Sequence, residues 1–133
     1  MAYDTLRIAA LGAAALARLG LGAPDRRWQV EVSFETAQGG GTSGSGHAIP
    51  LASLGVSNGG LFWFFGRNNP EMLLKVLNGC AANQHFWVFS SAATNVDFTI
   101  TVKDTQTGRI RTYRNSDRVP AAPLQDTRAL LCP

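Results

Sequence analysis

Two aromatic blocks, Phe62-Trp63-Phe64-Phe65 and Phe86-Trp87-Val88-Phe89, constrain what this chain can fold into more than any other feature. Each such side chain gains about 1.5–3 kcal/mol on leaving water, so a run of four demands shelter. The blocks are too short for helices and are bounded by turn formers, Ser57-Asn58-Gly59-Gly60 before the first and Gly66-Arg67-Asn68-Asn69-Pro70 after it. Elsewhere the pattern is a strict alternation. Residues 28–34 place Trp28, Val30, Val32 and Phe34 on one face, and residues 96–103 do the same with Val96, Phe98, Ile100 and Val102. A period of two is that of a half-buried strand.

Further strands are expected at 47–51, 71–77, 85–91 and 109–114, the last returning from a hairpin whose Gly108 can take positive φ. The 71–77 run is apolar enough for a helix, but its length and the flanking Asn-Pro and Asn78-Gly79 signals favour a strand. Residues 37–46 are Gly/Ser-rich and read as a flexible connection. They lack the Lys-Ser/Thr ending of a phosphate loop. The tail at 119–133 is proline-rich and reads as an extended edge segment. Seven or eight short strands at this spacing predict an all-β fold, an antiparallel β-sandwich over residues 24–133.

With 133 residues, 45% of them apolar, the chain is one domain long and can bury a core. Its net charge of +3 is too mild for a nucleic-acid stripe, since only Arg109, Arg111 and Arg114 cluster, and they alternate along a strand. Residues 1–23 have two readings. Arg7, the apolar IAALGAAAL and Ala15-Leu16-Ala17 describe a secretory signal peptide. The same residues also suit an N-terminal helix over 3–19, ended by Gly20 and Gly22. No stretch here is long enough to span a membrane as a helix.

Cys80 and Cys132 lie far apart, without metal-type spacing and without a nearby histidine. In an exported protein they would form a disulfide; in a cytosolic one they would be two buried thiols. Catalytic patterns are poor. Ser45, His47 and Asp97 could meet only in space, the serines lack a Gly-x-Ser-x-Gly elbow, and Glu31, Glu35 and Glu71 carry no spacing for glycoside hydrolysis. Asp97, Asp104 and Asp126, with Asn95, are candidate calcium ligands, against a plainer role in Asx turns. No cofactor motif is present. Trp28, Trp63 and Trp87 are candidates for a sugar-stacking platform, against a plainer role as core.

From Gly60 onward the chain resembles a recurrent small all-β domain of exported bacterial proteins. That domain has the pattern G-x-F-W-F-F, V-K-V-L-(D/N)-G, (F/Y)-W-V-F, T-V-x-D-T-x-T-G and a closing Tyr-x-Asn. Here these fall on residues 60–65, 75–79, 86–89, 101–108 and 113–115. Two departures stand out: residues 1–27 are unlike a strong leader, and Asn115-Ser116-Asp117 lacks the usual Asn-Pro. The resemblance implies a secreted or periplasmic setting and carries no enzyme activity. The expectation is a non-catalytic binding or assembly module whose partner is an exported protein or a second copy. The alternatives are polysaccharide binding through exposed tryptophans and a small hydrolase. If residues 1–23 are a retained helix, a cytoplasmic location follows instead.

Overall fold

The computed structural model describes residues 27–133 throughout, and before them the strand segments β1 (Asp4–Thr5), β2 (Ile8–Leu11), β3 (Ala14–Leu16) and β4 (Arg18–Leu19). In the segment where apolar spacing expects a helix, the described residues are therefore strand; the leader reading and the boundary at residue 23 fall largely outside the described residues. The body contains β5 (Trp28–Thr36), β6 (Thr42–Ser45), β7 (His47–Pro50), β8 (Gly59–Trp63), β9 (Pro70–Gly79), β10 (His85–Ala92), β11 (Asp97–Asp104), β12 (Ile110–Asn115) and β13 (Leu124–Leu131). Its one α-helix is the single turn α1 (Cys80–Asn83).

These strands form two packed antiparallel sheets, the β-sandwich that the alternation predicts. The first runs β6-β5-β11-β12, with β1 and β4 also pairing β5. The second runs β13-β10-β9-β8-β7. The body has more strands than expected because the Gly/Ser-rich stretch is not only a loop. It makes a 3₁₀ turn at Gln38–Gly40 and then pairs with β5, Ser33 opposite Ser45 and Thr36 opposite Thr42. At Gly46 the chain crosses between sheets, its N–H donating to the Val32 carbonyl at 2.8 Å.

The core lies between the sheets and is filled by alternate residues. β5 supplies Trp28, Val30, Val32 and Phe34; β11 supplies Phe98, Ile100 and Val102; β8 to β10 supply Phe62, Met72, Leu74, Val76, Phe86 and Val88. Trp28 and Phe86 meet edge to face at 4.7 Å, and Phe34 stacks on Phe64 at 4.8 Å. The two aromatic blocks do not neighbour each other: β9 lies between them, paired on one side with β8 and on the other with β10. One side of the sandwich is closed by side chains, where Tyr113 and Arg111 of β12 both reach the Asp126 carboxylate of β13. Cys80 and Cys132 are joined in a disulfide that ties the C-terminal strand to α1.

Candidate functional site

The alternation that drives Phe62, Met72, Leu74, Val76, Phe86 and Val88 inward turns Leu61, Trp63, Leu73, Lys75, Leu77, Trp87 and Phe89 outward. Register then brings these outward residues together across three strands. Leu61 sits opposite Leu73, Lys75 opposite Phe89, and Leu77 opposite Trp87. The outer face of the five-stranded sheet is thus an aromatic and aliphatic surface with one ammonium at its middle. Leu73 is 42% exposed, and the tryptophans are partly exposed.

The tryptophans are held in place. The Trp87 indole packs against Gly79, so close that a Cβ there would overlap it. Its Nε1 donates to Asn83 Oδ1 at 2.9 Å, and Asn83 Nδ2 in turn donates to the Thr127 carbonyl at 2.7 Å. The Trp87 and Phe89 rings are nearly parallel at 6.1 Å, and the Lys75 ammonium lies 5.7 Å from the Phe89 ring centre. Trp63 is stacked on His47 of β7 at 4.0 Å. Beside these rings a depression of about 300 Å³ is lined by Leu73, Lys75, Phe89, Ser91, Leu124 and Gln125. Rigid aromatic anchors of this kind lose little conformational entropy when a partner covers them.

The opposite outer face has a different character. On β5 and β11 it presents Gln29, Glu31, Ser33, Glu35, Thr99, Thr101 and Lys103. It carries an open polar groove of about 520 Å³ whose lining includes Ser33, Glu35, Ser43, Ser45, Asp97 and Arg114. The Arg114 guanidinium grips Asp97 there with contacts of 2.6 and 3.3 Å.

These positions sort the candidates read from the sequence. Trp28 is not a platform residue: it is 0% exposed, at the centre of the core. Trp63 and Trp87 share one outer face. Ser45 and Asp97 line the same polar groove, but His47 stacks on Trp63 of the other sheet, so the three do not assemble. The carboxylates proposed as calcium ligands are engaged separately. Asp104 binds Arg27, Asp97 binds Arg114, and Asp126 binds Arg111 and Tyr113. Asn95 Oδ1 accepts from Gln38 Nε2. Among the described residues no three His, Cys, Asp or Glu side chains converge as metal ligands. Glu71 is buried and accepts from Asn69, on the sheet opposite Glu31 and Glu35.

Local charge follows from these contacts. Burial works to raise Asp126, but the Arg128 backbone N–H, the Tyr113 hydroxyl and Arg111 outweigh it, and the carboxyl stays below its ordinary range. Tyr113 is raised, first by burial and then by its bond to that carboxylate. Residues of this face that the sequence alone did not single out are Leu61, Leu73 and Lys75. Their outward alternation was readable, but which strands lie side by side was not. No protein-family model, no curated protein and no solved structure matches the chain.

Proposed function

We propose that this domain is a non-catalytic docking module that binds a protein surface through the outer face of its five-stranded sheet, with a second copy as its first partner. The observation that carries this is the contrast between the two outer faces, one polar and one aromatic. Soluble domains seldom leave a contiguous apolar patch uncovered, and such patches mark interaction sites. Five strands of four to ten residues, about 4.8 Å apart, give a face on the order of 500 Å². That is below the roughly 800 Å² per partner of a standard interface, so the association is weak and reversible. Lys75 favours a partner that places a carboxylate or an aromatic ring within the apolar contact.

An exported setting, secreted or periplasmic, is part of this reading. The formed Cys80–Cys132 bridge supports it, because such bonds persist in oxidising compartments. Among the described residues no helix is long and apolar enough to cross a membrane. Whether residues 1–23 leave as an export leader or stay with the domain is read directly by intact-mass measurement on exported protein.

The test is molar mass by light scattering over a wide concentration range, with Leu73→Asp alongside. The parent chain gains mass with concentration and the variant gains clearly less. A parent that stays monomeric throughout counts against the reading. A second reading, polysaccharide binding, is favoured by the shared face of Trp63 and Trp87, since indoles stack on sugar faces. Titration with soluble glycans while following tryptophan emission tests it, and an unchanged spectrum with every glycan sinks it.

A further inference from the structure

The first sheet has an edge that the body of the domain leaves incomplete. β6 pairs with β5 only over residues 33–36, and among residues 27–133 no strand pairs with residues 28–32 on that side. The Gly46 N–H reaches the Val32 carbonyl there, so Val32 aims its backbone groups at this edge. By the two-residue alternation of a strand, Val30 and Trp28 aim theirs the same way. A row that residues 27–133 do not complete by themselves is a template for an extended segment from elsewhere.

The chain's own N-terminal residues show what fits it. Asp4 lies opposite Val32 and Thr5 opposite Glu31, while Arg18 lies opposite Gln29 and Leu19 opposite Trp28. Both pieces are antiparallel and run in one direction down the edge. The paired segments β2 and β3 lie between them in sequence. Together they make an edge strand built from two dipeptides, which is a weak hold. We propose that the 28–32 edge of β5 is a strand-acceptor site, and that a second copy's N-terminal segment exchanges onto it in the same register. The acceptor edge belongs to the other sheet from the aromatic face. A tethered segment competes at an effective concentration of about millimolar, so the closed single chain dominates in dilute solution and exchange grows as the protein is concentrated. Any processing that removed the segment would leave the site open to another extended strand.

Trapping tests the exchange in the full-length chain. Thr5→Cys and Glu31→Cys are made in separate chains, mixed under mild oxidation, and the cross-links are identified by peptide mass mapping. The exchange predicts a disulfide between position 5 of one chain and position 31 of the other. Its yield is several-fold higher than that of links in a control mixture of Thr5→Cys with Thr112→Cys, and it increases with concentration. Adding Leu73→Asp to both chains leaves that yield unchanged, which separates strand exchange from docking through the aromatic face. A yield no higher than the control overturns the proposal. So does a chain carrying both substitutions that links only within itself while the mixed single variants never cross-link.

Discussion

Asp104 shows how a buried charge is held at the residue scale. It is 0% exposed, yet Arg27 meets it with two contacts of 2.7 Å, and the Gln106 N–H donates to it at 3.0 Å. The same guanidinium lies 4.5 Å from the Phe86 ring centre, so one arginine serves the carboxylate and the core aromatics together. Burial works against ionisation of Asp104, but the Arg27 and Gln106 bonds prevail and its pKa is lowered. Asp104→Asn leaves Arg27 unpaired in a nearly buried place and should cost about 3–5 kcal/mol, read from denaturant unfolding. Asp117 is held down to about 2, chiefly by the Ala37 N–H and then by the Thr36 hydroxyl. A carboxyl whose folded pKa lies below its unfolded value stabilises the fold above that value, near 3.8 here, and loses this as pH falls through the folded pKa. Stability should therefore be flat down to about pH 4 and decline below it. An Asp117→Asn variant should show a shallower decline in acid melts, and an equal one would contradict the assignment. Gly79 is a steric case. Its φ of −99° suits any residue, but an added Cβ would meet the Trp87 indole and the His85 carbonyl. Gly79→Ala should cost about 1–3 kcal/mol and shift the Trp87 emission.

At the scale of elements, the strands were legible where one face is buried and the other is not. Residues 28–34 and 96–103 alternate because β5 and β11 face the core on one side and water on the other, and each element appears within a residue or two of its expected place. The 42–45 strand was not legible, because Thr42-Ser43-Gly44-Ser45 has no apolar face; only backbone pairing to β5 makes it a strand. The blocks at 62–65 and 86–89 are apolar on both faces, so periodicity did not say which side is core. The register did: it seats Phe62 and Phe86 between the sheets and leaves Trp63 and Trp87 outside. The Cys80–Cys132 bridge was readable only as conditional on compartment. It closes a loop with a separation of 52 residues, which corresponds to about 4 kcal/mol in the chain-entropy account. Reduction should lower the unfolding free energy by about that amount, and hydrogen exchange should show β13 loosening first. An unchanged denaturant midpoint after complete reduction would contradict this.

The whole molecule is a sandwich with unlike outsides. One sheet turns hydroxyls, carboxylates and an Arg114–Asp97 pair to solvent, and the other turns Leu61, Trp63, Leu73, Trp87 and Phe89. The sequence left all three tryptophans open between core and platform. Trp28 is core, its ring packed against Arg27 and Phe86, while Trp63 and Trp87 are half-buried on the outer face. The candidate site was the less legible part, because it depends on which strands are neighbours and on what covers the sheet. Leu73 is the most informative position to alter, being exposed and central in the patch, so Leu73→Asp changes the surface with about 1 kcal/mol or less of effect on folding. The direct measurement is light-scattering molar mass against concentration for the parent chain and for Leu73→Asp. The docking account predicts that the parent rises above its 14.2 kDa monomer mass and that the variant rises clearly less, keeping only what strand exchange contributes. A parent that remains at 14.2 kDa throughout, or a variant that associates equally well, would contradict it.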